Sequence, residues 1–252
     1  DRMIKKVREN ELEHADLLHI PKTLVLCTDI FDEFMETNEL YSIAMSDISD
    51  EEMLACFLRG RLPHRLLADL EVFIEVVKTP LAIRSSSLLE DSHYQPFAGI
   101  YSTYMIPYDE DKYCRLEMLA NAIKGVYASV YFRGSKDYMT ATSNVIDQEK
   151  MAVILQEVVG QQYGTRFYPN VSGVARAVNY YPIGDEKAEE GTVSLAMGLG
   201  KYIVDGGTSL RVCPYHPTQV LQMSEMDIAL RDTQTSFYAL ETSIPKDKFG
   251  YR

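Results

Sequence analysis

"LAIRSSSLLEDSHYQPFAGIYSTYM", residues 81–105, joins a short apolar run to a group of polar side chains. Residues 81–84 predict a strand that ends on Arg84, and three serines follow it directly. A guanidinium at a strand end, beside hydroxyls and free amides, would grip two phosphate oxygens at once. The alternative is an ion pair of Arg84 with Glu90 or Asp91, and spacing alone favours that alternative.

Two glycine-containing segments are candidates for contact with a ligand. Gly99 and Thr103 lie in the opening stretch, where a glycine lets a ligand approach the backbone closely. An ordinary hairpin glycine is the alternative, and taken alone it is the more frequent case. The run GLGKYIVDGG, residues 198–207, lacks the spacing of a P-loop and the third glycine of a dinucleotide fingerprint. It therefore predicts a tight turn that joins a strand to a helix.

The charge balance limits the partners that the chain can bind. Its 37 acidic and 25 basic residues give a formal net charge of −12, which argues against a broad nucleic-acid surface. An anionic ligand must instead be held locally, by a few cations, backbone amides or a metal ion. The sequence contains no apolar run of the roughly 18–20 residues that span a bilayer, so we expect no membrane segment.

The cysteines and histidines predict no metal site. The four cysteines lie far apart and form no CxxC pair, which argues against a zinc site and a disulfide framework. This usage favours a reducing compartment, and we expect a cytoplasmic location. The five histidines show no metal-binding spacing such as HExxH, and the adjacency of Ser92 and His93 does not predict a catalytic pair.

Residues 1–149 predict a lobe of mixed helix and strand. A strand over residues 23–27 leads into a helix near residues 29–37, which Thr28 or Asp29 would cap. Apolar residues at helical spacing predict amphipathic helices over residues 65–77 and 113–133.

Residues 150–252 predict a second lobe that is mostly β. Strand-like patterns occur in MAVILQEVV (151–159), SGVARAVNYYP (172–182) and TVSLAMG (192–198). The segment between the first two, GQQYGTRFYPN, holds two glycines and a proline and predicts a long hairpin loop that joins them. Residues 226–235 predict one more helix.

Taken together and in order, these segments resemble a known family. The opening stretch resembles the VRSSATAED…FAGQ-type signature in the nucleotide-binding domain of pyruvate phosphate dikinase, phosphoenolpyruvate synthase and rifampicin phosphotransferase. MAVILQEVVG resembles the strand that carries the family's adenine-side glutamine. SGVARAVNYYP resembles its SGV-type hairpin strand, and SLAMGLGKYIVDGG its GLGE-type turn. The likeness runs from about residue 20 to about residue 215.

The resemblance implies an α+β, ATP-grasp-like domain that holds ATP between its two lobes. It implies a magnesium ion that neutralises part of the phosphate charge. The residues that it assigns to ATP are Arg84 on the triphosphate, Gly99 and Thr103 at the nucleotide, Gln156 beside the adenine, and a hinge from Glu157 to Val159 whose backbone reads the adenine edge. In this family the phosphoryl group passes to a histidine on another domain and then to pyruvate or another small acceptor.

Several parts of the family pattern have no counterpart in the sequence. These are the glycine-rich segment with its phosphate-binding lysine, expected upstream of residue 10, and the closing carboxylate strand that holds magnesium. The histidine of the swivelling domain and the pyruvate-binding barrel also have none. We therefore expect an incomplete ATP-binding domain, part of a larger ATP-dependent phosphotransferase (kinase) and inactive in isolation. A nucleotide-sensing module without transfer activity and a plain α+β structural domain are the alternatives.

Overall fold

The computed structural model describes residues 18–90, 99–141 and 149–243, which form two compact units. The first unit ends at Val158 and the second unit begins at Val159. Every strand pairing among the described residues is antiparallel, and helices accompany the sheets, so the chain is α+β. The division lies beyond residue 150, the predicted start of the second lobe, because the strand that begins at Ala152 pairs within the first unit.

The first unit contains one four-stranded sheet and six helices among its described residues. Its strands are β1 (Thr23–Leu26), β2 (Leu81–Ser86), β3 (Tyr104–Ile106) and β4 (Ala152–Glu157), in the order β1-β4-β2-β3. Its helices are α1 (Thr28–Thr37), α2 (Tyr41–Ala44), α3 (Asp50–Arg59), α4 (His64–Val76), α5 (Lys112–Ser129) and α6 (Arg133–Ala141). Helices α4 and α5 confirm the two helices that the apolar spacing predicts, and α1 confirms the helix predicted after the first strand.

The hydrophobic core of the first unit lies against one face of this sheet. Successive side chains of a strand point to opposite faces, and Ile83, Val153 and Leu155 are fully buried on the core side. Helix α5 contributes Tyr127, whose ring lies 5.1 Å from that of Phe31 in an edge-on arrangement. The helices therefore cover one face, and the opposite side chains of the strands form a second, more polar surface.

Helix α1 begins as the strand–helix pattern predicts, but the predicted cap is wrong. Its N-cap residue is Cys27, and no side chain accepts a hydrogen bond there. Thr28 is already the first helical residue, since β1 ends at Leu26 and the chain turns into the helix at once. Asp29 lies inside the first turn, where a negative charge still interacts favourably with the helix dipole.

The second unit contains two three-stranded sheets and two short helices among its described residues. One sheet has the order β10-β6-β5 and the other the order β7-β8-β9. The elements are β5 (Gln161–Tyr163), β6 (Arg166–Tyr168), β7 (Ser172–Arg176), β8 (Thr192–Ala196), α7 (Lys201–Val204), β9 (Leu210–Val212), α8 (Met226–Asp232) and β10 (Leu240–Glu241). The predicted helix in residues 226–235 is confirmed as α8.

The predicted long hairpin between β4 and β7 is wrong. Strand β4 pairs with β1 and β2, whereas β7 pairs with β8 in another sheet. The linker itself folds into the short hairpin β5–β6, in which Tyr163 faces Arg166. Gly164 opens its two-residue turn with a φ of 61°, a conformation that favours glycine. The turn signal was thus correct, and the strands assigned to it were not.

Candidate functional site

Two of the candidate site residues, Arg84 and Gln156, lie on the face of the four-stranded sheet that points away from the helical core, here called the outer face. The register places Thr23 opposite Gln156, and Gln156 opposite Ala82. One pleat further along the strands, Arg84 lies opposite Ile154. Directly opposite residues share a face of a sheet, so these side chains project to the same side.

Arg84 is an exposed cation in the middle of this face. The sequence predicts that the strand ends on Arg84. In the structure, β2 continues to Ser86, so Arg84 is an interior residue of the strand. Its Nη1 donates a hydrogen bond to Gln156 Oε1 at 3.3 Å, and Gln156 Nε2 donates to Thr23 Oγ1 at 3.3 Å. A polar row therefore crosses three strands. Because the partner of Arg84 is a neutral amide, its positive charge stays available to an anion.

The alternative for Arg84, an ion pair with Glu90, is not the arrangement that the structure describes. The Glu90 carboxylate accepts hydrogen bonds from Ser85 Oγ at 2.8 Å and from the backbone N–H of Ser87 at 3.1 Å. Asp91, the second proposed partner, lies outside the described residues, as do His93 and the Phe97-Ala98 pair of the opening stretch.

Gly99 and Thr103 lie on the approach to β3. Gly99 is exposed and has a φ of 83°, and among the described residues no atom lies within 4 Å of the position that a Cβ would occupy there. Its backbone conformation therefore favours glycine. Thr103 is partly buried and directly precedes Tyr104, which pairs with Ile83. It is thus next to Arg84 in the β2–β3 register.

Glu157 connects the end of β4 to the segments that precede β1 and β2. Its carboxylate accepts hydrogen bonds from the backbone N–H of Lys22 and from Thr79 Oγ1, both at 3.2 Å. Its own N–H donates to the Lys22 carbonyl, and the N–H of Val158 donates to the Pro80 carbonyl, both at 2.9 Å. Two N–H groups of the predicted hinge are therefore engaged in the protein, and Val159 is the exposed residue that follows them.

A buried polar cluster next to the outer face was missed by the sequence analysis. It consists of Ser87, Glu90, Tyr101 and Glu149 and is called the Glu149 cluster below. Tyr101 Oη donates to Glu149 Oε1 at 3.0 Å, and the nearby Ser87 hydroxyl opposes the rise in pKa that burial causes in both groups. Glu149, Tyr101 and Ser87 are 7%, 4% and 6% exposed. The burial of Glu149 raises the pKa of its carboxyl, although the two hydroxyls oppose that rise.

One sequence signal for this cluster existed. Residues 87–90 read Ser-Leu-Leu-Glu, the S-x-x-E pattern of a capping box. In the structure the Ser87 N–H donates to the Glu90 carboxylate at 3.1 Å, and the Glu90 N–H donates to Ser87 Oγ at 3.4 Å. The pattern thus marks a reciprocal turn, but nothing in it indicates that Glu149 would join.

The chain also has a groove at the edge strand β1, whose lining includes Thr23 of the outer-face row, and a glycine-rich turn in the second unit. A groove of about 730 Å³ runs along β1 and α4 and is lined largely by apolar side chains, such as Val72 and Val76. The turn in residues 198–207 joins β8 to helix α7, as predicted, and Gly198 has a φ of 83° there. Within the described parts of the chain, no helix is both long and apolar enough to cross a membrane.

Comparison with known proteins finds relatives that span both units. The family model described as the AMP/ATP-binding domain of pyruvate phosphate dikinase matches residues 5–238. The uncharacterized phosphotransferase YvkC of Bacillus subtilis (strain 168) is 25% identical over 203 residues. That alignment covers 76% of this chain and 21% of the relative, so the chain spans about a fifth of the curated protein that it matches.

Proposed function

The chain belongs to the family of the AMP/ATP-binding domain of pyruvate phosphate dikinase, and from this premise we propose that it binds ATP on an ATP-grasp-like fold as the nucleotide-binding part of a phosphotransferase. The observation that carries the proposal is Arg84, an exposed guanidinium whose partner on the outer face is neutral. In a chain of net charge −12, a triphosphate needs such a local cation.

The proposal assigns a role to each predicted contact. Arg84 holds phosphate oxygens, and Gly99 and Thr103 line the approach of the nucleotide next to it. Gln156 lies beside the adenine. Because Gln156 is hydrogen-bonded to Arg84, one nucleotide that lies along the outer face would contact both residues. The carboxylate of Glu157 is engaged within the first unit, so its role is to hold the strand ends. We therefore assign the contact with the adenine edge to the backbone N–H of Val159.

The fate of the phosphoryl group is proposed from the family resemblance. It would pass from ATP to a histidine nitrogen on another domain and from there to pyruvate or another small acceptor. The name of the Bacillus subtilis relative, a phosphotransferase, supports the class of reaction. Transfer of this kind depends on positioning and on charge stabilisation, which is the part that Arg84 would supply.

Magnesium is the cation that the resemblance implies for the triphosphate. Among residues 18–90, 99–141 and 149–243, no three His, Cys, Asp or Glu side chains converge as they would around a metal ion. Magnesium that is carried by ATP needs only one or two carboxylates beside the phosphates and not such a cluster, and no step of the proposal runs through the ion. We also propose a reducing, cytoplasmic location, because all four cysteines are free thiols.

Substitution of Arg84 tests the proposal. In the full chain, we expect magnesium-ATP to raise the melting temperature of the wild type, because a ligand that binds the folded state stabilises it. Arg84→Lys should reduce ATP affinity about tenfold or more, because lysine keeps the charge and loses the planar fork that grips two oxygens. Calorimetric titration with ATP measures the loss, and the melting temperature without ATP should stay unchanged.

Arg133→Lys is the matched control. Arg133 is an exposed arginine of the first unit, whose guanidinium lies 3.8 Å from the Asp47 carboxylate and away from the outer face. This variant should bind ATP as the wild type does. An ATP-dependent rise in melting temperature that is equally large in Arg84→Lys and in the wild type would refute the assignment of Arg84.

A further inference from the structure

The Glu149 cluster joins three segments that are distant in sequence. Ser87 and Glu90 directly follow β2, Tyr101 precedes β3, and Glu149 precedes β4. The bond from Tyr101 to Glu149 spans 48 positions of the sequence, and Ser87 exchanges hydrogen bonds with Glu90 through its N–H and its Oγ. All three strands belong to the sheet whose outer face carries Arg84. The cluster is therefore placed where the candidate phosphate-binding segments converge.

The opening stretch has two flanks, residues 84–87 and residues 99–102, and each of them contributes a side chain to this cluster. On one side, Ser85 follows Arg84 directly and donates its hydroxyl to Glu90 at 2.8 Å. On the other side, Gly99 stands two positions before Tyr101, and the backbone N–H of Ser102 donates to Ser129 Oγ of α5 at 3.1 Å. Strand pairing holds the first flank, since Ser85 lies opposite Val153 of β4, and the bond from Tyr101 to Glu149, just before β4, fixes the second flank against it.

Burial makes these bonds specific. A buried carboxylate is costly unless it accepts hydrogen bonds, and Glu149 accepts one from Tyr101. A hydrogen bond to an ionised group is stronger and more directional than one between neutral groups. Movement of either flank would therefore leave a buried charge with fewer donors. The arrangement resists such movement more than two neutral partners would.

We propose that Glu149 is a positioning residue for nucleotide binding, which acts through Tyr101 and the pairing of β4 with β2 to hold Arg84 and Gly99 at a fixed separation. This inference rests on the proposed function, since it assumes that phosphates bind between the two flanks. Glu149 itself does not contact the nucleotide. It sets the geometry in which the guanidinium and the open backbone at Gly99 meet the same phosphate group.

The test compares ATP with adenosine, which lacks the phosphates. Both ligands are titrated calorimetrically into the full chain for the wild type, Glu149→Gln, Tyr101→Phe and the double variant, at a temperature where circular dichroism shows each to be folded. Each single variant should bind ATP about tenfold more weakly, with adenosine affinity unchanged. The ATP affinity of the double variant should be no lower than that of the single variant that binds ATP less tightly, because both changes remove the same bond.

Tyr127→Phe is the control for the loss of a buried tyrosine hydroxyl. Tyr127 is fully buried in the same unit, and its hydroxyl has no hydrogen-bond partner among the described residues. This variant should bind ATP with wild-type affinity. Unchanged ATP affinity in both cluster variants, or an equal loss for ATP and adenosine, would overturn the positioning role. Absence of ATP binding by the wild type would instead overturn the proposed function itself, and the inference with it. Tyr101→Phe keeps the test decisive if Glu149→Gln does not fold.

Discussion

Replacement of Arg115 by methionine should lower the free energy of unfolding of the first unit by about 2–4 kcal/mol. The Arg115 side chain is 3% exposed, and its Nη1 and Nη2 donate to the carbonyls of Ile74 and Val77, both at 2.9 Å. These carbonyls belong to the C-terminal end of α4, where the helix supplies no N–H partner. Methionine fills much of the volume but leaves both carbonyls without a donor.

Two opposing effects decide the size of this loss. Burial lowers the pKa of Arg115, which shows that the cation gives up favourable hydration in the folded state, and methionine removes that penalty. The variant also loses two hydrogen bonds and the cation–π contact of the guanidinium, which lies 4.6 Å from the ring centre of Tyr108. Each unsatisfied buried carbonyl costs about 1–3 kcal/mol, so the loss should exceed the gain.

The measurement is urea unfolding followed by circular dichroism at the helix band, which reports mainly on the first unit because its described part holds the longer helices. Arg65→Met is the control. Arg65 is 59% exposed and pairs with Asp29 and Glu33 at the surface, so its loss should cost under about 1 kcal/mol. A cost for Arg115→Met no larger than that of the control would contradict the capping role.

Replacement of Arg211 by methionine should destabilise the second unit by about 3–5 kcal/mol at neutral pH. Arg211 makes a two-pronged bond to Glu186, from Nη1 to Oε1 at 3.1 Å and from Nη2 to Oε2 at 2.6 Å. Its Nη2 also donates to Asn179 Oδ1 at 3.0 Å. The Glu186 side chain is 1% exposed, so the variant would leave a buried carboxylate without its cation.

The pH dependence gives this prediction a distinctive sign. Arg211 above all, with Asn179 and the Ile183 N–H, lowers the pKa of Glu186 from an ordinary 4.5 to about 2. The stabilisation from this pair is therefore complete above pH 4.5 and is lost as the pH falls toward 2. In Arg211→Met the pKa of Glu186 should rise, because burial then acts unopposed by the cation. The difference between wild type and variant should thus be largest at neutral pH and shrink in acid.

Hydrogen exchange of the β7–β8–β9 amides, measured between neutral pH and pH 3, follows this difference within the second unit. Arg231→Met serves as the control, because Arg231 is 74% exposed and pairs with its sequence neighbour Asp232. If these strands were protected equally in Arg211→Met and in the wild type at neutral pH, the Arg211–Glu186 pair would not stabilise the second unit. A difference that grows in acid would contradict the pKa assignment.

The sequence predicted the local elements of the fold well. Helices α4 and α5 follow from apolar spacing, because burial of one face imposes a period that is readable in the residues themselves, and β1, α1 and α8 also lie where the sequence predicts them. The family resemblance also held across most of the chain, since the family model covers residues 5–238. It singled out Arg84 and Gln156 by their positions in motifs. Strand pairing was less predictable, as β4 shows.

The structure alone decided which of these residues meet. Arg84 and Gln156 are 72 positions apart, and their contact depends on the pairing of β2 with β4. A period of two tells which side chains share a face, but it does not identify the neighbouring strand, because that choice depends on hydrogen bonds between distant segments. Glu149 shows the same limit: its own sequence neighbourhood carries no signal, and only the fold brings its carboxylate to the Tyr101 hydroxyl.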